Sequence, residues 1–169
     1  MKDADGVKKV ASVISSFRND KLVIVVSALG KTTNALENLL NLSLSDKQKE
    51  TEQAFLKLRI FHFEIAETLI GDARNPVFDK LDHAFVHLNK ALKNTGNDKY
   101  FAYDQVVCFG ELLSSIVIDA YFKKVDLPSH LIDAHSLIVT NNNFTSAKID
   151  WQFTQKAIEA RVTPILNNG

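Results

Sequence analysis

Two polar stretches in this chain could do chemistry, and both are built to hold charge. In the first, residues 21–34 read K-L-V-I-V-V-S-A-L-G-K-T-T-N: an unbroken apolar run ends at Ser27, turns through Ala28, Leu29 and Gly30, and opens a helix with Thr32, Thr33 and Asn34. Hydroxyls beside the free amides of a helix amino terminus suit an anionic group, a carboxylate or a phosphate. The same residues are also what an ordinary strand end and helix cap require, and spacing alone leaves both readings open. Gly30-Lys31-Thr32 invites a phosphate-loop reading, but that pattern needs glycine at position 25, where Val25 stands. Without that glycine the backbone has no cradle for a phosphate. The second stretch, C-F-G-E-L-L-S, carries Glu111 beside Gly110. Glycine inside a helix costs about 1 kcal/mol relative to alanine, so its presence there points to a close approach by a ligand or another backbone. Asp104, Cys108, Glu111 and Ser115 recur at helical spacing as a polar stripe; a solvated helix edge would look the same.

The remaining polar residues are less directed. His83 and His87 stand four apart, a spacing that serves a metal only with a third ligand, and the sequence offers none, so no metal site is expected. His62 falls on an apolar helical face, at the edge of a core. Asp133 and His135 stand at the end of an expected strand, as turn or site-lining residues. Cys108 has no basic neighbour that would activate a thiolate.

Helices and a few strands must position these groups. Val7, Val10, Ala11, Ile14 and Phe17 predict a first helix with Asp3 as cap. A strand over residues 22–27 and a helix over 32–42 follow. Ser45 and Gln48 form a candidate capping box for a helix reaching residue 69, with Phe55, Leu58, His62, Ile65 and Leu69 inward and Gly71 as its stop. Asn75-Pro76 opens a helix burying Val77, Leu81, Ala84, Phe85, Leu88 and Leu92. A fifth helix is predicted over residues 104–123, with Val106, Phe109, Leu113, Ile116, Val117 and Ala120 inward. Short strands are expected at 130–132, 137–140 and 144–147. Asp150 caps a last helix reaching residue 166, packed through Trp151. This is an α/β pattern that starts and stops on helices, as the middle of a larger doubly wound domain would.

Composition narrows the class. Twenty basic residues balance twenty acidic ones, so no overall field recruits nucleic acid or an anionic membrane surface. The single cysteine excludes an internal disulfide framework and fits a reducing compartment. No uninterrupted apolar run has the length of a membrane span. A cytoplasmic globular domain is the expectation.

With V-V-S-A-L-G-K-T-T-N, C-F-G-E-L-L-S and the K-D-A-D-G-V start in order, the chain resembles the aspartokinases of the amino-acid kinase family. The resemblance covers nearly all of residues 1–169 and implies a helix-rich three-layer α/β/α sandwich with a mostly parallel sheet. It implies transfer of the γ-phosphoryl of ATP to the β-carboxylate of L-aspartate, the first step towards lysine, threonine and methionine, with ATP and Mg²⁺ serving the intact enzyme. By resemblance, Ser27 and Thr33 contact aspartate and Glu111 positions its amino group, with Ala28, Gly30, Thr32, Asn34 and Gly110 lining the site. The intact enzyme is expected to be a homo-oligomer. The family's opening K-F-G-G-[TA]-S-V and later G-R-x-G-S-D segments do not occur here, so residues 1–169 are expected to be a partial domain, truncated at both ends and inactive alone. A non-catalytic structural or dimerising paralogue, or a kinase for another amino acid, are the alternatives.

Overall fold

The computed structural model describes residues 1–168; Gly169, the last residue of the expected Asn167-Asn168-Gly169 tail, lies outside it. Eight helices follow in order: α1 (Ala4–Ser15), α2 (Thr32–Leu44), α3 (Gln48–Ile70), α4 (Val77–Lys93), α5 (Lys99–Val107), α6 (Phe109–Lys124), α7 (Trp151–Arg161) and α8 (Thr163–Asn168). The core lies where α2, α3, α4 and α6 meet, with α1 laid on α3 and α5 on α2 and α4.

The apolar periodicity of each helix decides which face turns inward. In α4 the six residues at that spacing, Val77, Leu81, Ala84, Phe85, Leu88 and Leu92, are all buried. They meet Leu58, Ile65 and Leu69 of α3 and Leu113, Ile116 and Val117 of α6 in one cluster. Each fully buried large aliphatic contributes about 1.5–3 kcal/mol, so this cluster is the main source of stability. Helix ends are set by local chemistry. Asp3 accepts from the Gly6 amide at 2.9 Å, and Gly71 takes φ +71° to close α3, its amide donating to the Glu67 carbonyl at 2.8 Å. Lys124 then donates to the orphan carbonyls of Leu69 and Ile70 at 2.7 and 2.8 Å, where a cation also suits the negative end of the helix dipole.

Several expectations are corrected. Ser45 and Gln48 form no capping box: the Ser45 hydroxyl turns back to the Asn41 carbonyl at 2.8 Å, and the Gln48 amide reaches Glu52 at 3.1 Å. The long fifth helix begins earlier, at Lys99, where the Asp98 carboxylate accepts from the Tyr100 and Phe101 amides. It is interrupted at Cys108, two residues before Gly110, whose backbone stays right-handed so that α6 carries on from α5. Taken together, Lys99–Lys124 is long and apolar enough to cross a membrane, contrary to the expectation from uninterrupted runs, but half of its most apolar window is buried within the molecule. It is the central helix of the bundle. Trp151 does not pack the last helix; it is 70% exposed, and Thr154 is the buried residue of α7.

The expected strands are unpaired. Residues 22–27 join no ladder, and Val25 is 92% exposed. A strand exists only where a neighbour takes its amides and carbonyls, and among the described residues none does. Residues 130–132 and 144–147 are irregular, 134–136 form one 3₁₀ turn, and among the described residues the only pairing is a single antiparallel bridge between Thr140 and Ile149. The described residues are thus a helical assembly whose apolar extended segments lie on its outside.

Candidate functional site

The turn after the apolar run is held from four directions. Its centre, Gly30, takes φ +57° and donates its amide to the Met1 carbonyl at 2.9 Å. A Cβ at that position would stand 3.0 Å from the Lys2 carbonyl oxygen and 3.1 Å from Phe61, so glycine is required by both conformation and space. From α6, the Ser114 hydroxyl accepts the Leu29 amide at 2.7 Å and donates to the Gly110 carbonyl at 2.7 Å. Glu111 accepts the Ala28 amide at 3.3 Å, across 83 residues of sequence. On the inner side, buried Thr32 donates to the Leu29 carbonyl at 2.6 Å and lies 3.5 Å from His62 Nε2.

Gly110 makes this docking possible. A Cβ there would meet the Ala28 Cβ at 3.0 Å and Leu36 and Thr32 at 3.5 and 3.7 Å. The close approach inferred from a glycine in a helix is therefore real, with the side chains of the turn and of α2 as the approaching groups.

His62 is fully buried rather than at a core edge. Its Nδ1 lies 2.9 Å from the Leu58 carbonyl, which can only accept, so that nitrogen carries the proton. The ring packs edge-on against Phe61 and Phe85. Burial lowers its pKa and keeps the ring neutral, with Nε2 facing Thr32.

The open side of the turn offers a different set. Ser27 is exposed and Thr33 half-buried, and neither hydroxyl has a partner among the described residues. The Thr32 amide turns to Leu29 and the Ala35 amide to Lys31, leaving those of Thr33 and Asn34 as the unpaired amides of the first turn. Beside the turn stands Glu111, exposed, in a negative neighbourhood: the half-buried Cys108 thiol is pushed up to about 11 by burial first and then by the charges of Glu111, Asp133 and Asp104. That thiol stays protonated near neutrality and is no nucleophile. The turn carries unpaired donors and, through the Ala28 amide, a neighbouring carboxylate.

The structure thus brings together Ala28, Gly30, Thr32, Gly110 and Glu111 in one contact network, with Ser27, Thr33 and Asn34 on its open rim. Ser114 and His62 hold the turn from behind. His62 was read in sequence only as a core-edge residue, and Ser114 was not a candidate, although it stands one helical turn after Gly110. His83, His87 and His135 take no part. Among the described residues no three His, Cys, Asp or Glu side chains converge as metal ligands.

Comparison with known proteins gives the class to which this helical core belongs. The amino acid kinase family profile matches residues 1–169, and the chain belongs to that family. Within the family the similarity is to aspartokinases. The chain is 29% identical to Arabidopsis thaliana chloroplastic aspartokinase 2 over 154 residues, covering 88% of this chain and 28% of that protein. It is 30% identical to the Escherichia coli bifunctional aspartokinase/homoserine dehydrogenase 2 over 134 residues, covering 77% and 16%. Escherichia coli aspartokinase III in complex with lysine and aspartate superposes over 99% of this chain and 36% of its own, at TM-score 0.78 and 25% identity. The same enzyme in complex with aspartate and ADP gives TM-score 0.83 at 23% identity. The chain therefore spans about a third or less of the proteins it matches.

Proposed function

We propose that this chain is the amino-acid-binding part of an aspartate kinase, a soluble enzyme that transfers the γ-phosphoryl group of ATP to the β-carboxylate of L-aspartate, forming 4-phospho-L-aspartate. The observation that carries the reading is the 3.3 Å contact between the Ala28 amide and Glu111, which brings the glutamate carboxylate to the turn whose rim holds Ser27 and Thr33. The acceptor in this reaction is the substrate's own carboxylate, so the protein has no nucleophile to supply and acts by positioning and charge compensation. Ser27, Thr33 and the first-turn amides of α2 hold carboxylate oxygens. Glu111 orients the ammonium group, and with it the direction in which the β-carboxylate points. Ser114, Thr32 and Gly110 keep the turn in place without touching substrate. The residues described here do not form a metal cluster, so Mg²⁺ enters this reading as the partner of ATP, outside this site.

In the whole protein we take residues 22–27 to be a strand of a mostly parallel sheet within a three-layer sandwich. The support is an apolar run, exposed here, that leads directly into the site. Assembly of the whole protein into a homo-oligomer belongs to the same reading. The test is a hydroxamate assay for acyl phosphate on the full-length protein with ATP and either L-aspartate or L-glutamate. Product with aspartate and little with glutamate is expected; no acyl phosphate from aspartate, or equal product from both, would sink the proposal.

A further inference from the structure

A cleft of about 600 Å³ opens between α4 and α6, closed on one side by residues 129–132. Its floor is apolar, formed by Ala84, Leu112, Ile116, Ile132 and Ile165. Its rim carries Lys80, His83 and His87 from α4, Asp119 and Lys123 from α6, and His130. The sequence showed His83 and His87 as an i, i+4 pair lacking company; the fold brings His130 and Asp119 to the same cleft. Among the described residues they do not converge as a metal site, and Asp119 is already spent. It is buried, with one oxygen taking Lys123 at 2.7 Å and the other the Ser129 hydroxyl at 2.7 Å. That pair of contacts pins the far wall onto α6 and neutralises one lysine internally.

What remains unspent is of one kind. Lys80, His83, His87 and His130 have no ion-pair partner among the described residues, and no carboxylate in the cleft is free. A concave site of a few hundred Å³ with an apolar floor and a few convergent donors is the usual build of a small-molecule site. We infer that the α4–α6 cleft binds a small organic anion, an apolar body carrying a carboxylate or phosphate head, with the head at Lys80, His83 and His87 and the body on Leu112 and Ile116. This ligand is distinct from the one proposed for Glu111, whose side of α6 faces the turn rather than α4, and the inference stands whether or not that proposal holds.

The histidine rings report binding directly. In the full-length protein, ring resonances would be followed by NMR during titration with phenyl phosphate, phenylacetate and inorganic phosphate. Saturable shifts at His83, His87 and His130 are expected with either phenyl compound, at millimolar affinity or better and roughly tenfold tighter than with inorganic phosphate. Buried His62 and the exposed His135, which is paired with Asp133 at 2.8 Å, serve as references and should not move. The tighter of the two phenyl compounds identifies the head group. Lys80→Glu, a change on an exposed helix face, should weaken binding at least about tenfold while leaving the circular dichroism spectrum unchanged. Shifts that do not saturate, that appear equally at His135, that are as large with inorganic phosphate, or that survive Lys80→Glu would overturn the inference.

Discussion

At the scale of single residues, two effects oppose each other at Gly110. Alanine there should help the helix by about 1 kcal/mol, but its Cβ would stand 3.0 Å from the Ala28 Cβ, and overpacking costs about 1–3 kcal/mol. The clash has no flexible side chain to absorb it, so Gly110→Ala is expected to lower the urea midpoint and to loosen the turn. Ser114→Ala removes the acceptor of a buried amide at Leu29, with an expected loss of about 1–3 kcal/mol in the same measurement. His62 makes stability depend on pH. Unfolding exposes the ring, which then binds a proton below its ordinary value of 6.5, while the folded chain resists that proton. The unfolded state therefore carries more protons as pH falls, and stability, full above about pH 6.5, declines below it. Urea midpoints at pH 7.5 and 5.5 should differ for the parent and differ less for His62→Leu; an equal difference would remove His62 as the cause.

At the scale of elements, the helices are met within the described residues and the expected strands are not paired there, for one physical reason. A helix satisfies its backbone within itself, so the apolar spacing in residues 77–92 already determines which face packs, and all six residues of that face are buried. A strand depends on a neighbour elsewhere. Residues 22–27 have strand composition, yet Val23 and Val25 lie 66% and 92% exposed. The capping box failed because Ser45 closes α2, its hydroxyl donating to the Asn41 carbonyl, while Lys47 is the residue that precedes α3. Of the site, the turn and Glu111 could be found from residue types and from resemblance. Their junction through Ser114 could not, since it joins residues 85 apart. Unpaired apolar segments are association surfaces. The 169-residue chain on its own is therefore expected to self-associate, and Val23→Lys with Val25→Lys to shift its sedimentation distribution towards monomer. An unchanged distribution would place the sticky surface elsewhere, among Leu131, Ile138 and Val139 or around Trp151.

At the scale of the whole molecule, one helix, α6, organises everything proposed here. Its amino-terminal turn carries Gly110, Glu111 and Ser114 to the turn at residues 28–32. Its other face meets α4 across the basic cleft, and its last turn caps α3 through Lys124. The aspartate reading rests on the first of these, and it separates the amino acid from the nucleotide. The most direct test is the steady-state kinetics of Glu111→Gln in the full-length protein, with aspartate and ATP varied in turn. Losing a charged contact worth about 1.5–3 kcal/mol should raise the KM for aspartate by roughly 10–100-fold and leave the KM for ATP within about twofold. An unchanged KM for aspartate, or an equal rise in both, would contradict the assignment of this turn and glutamate as the aspartate site.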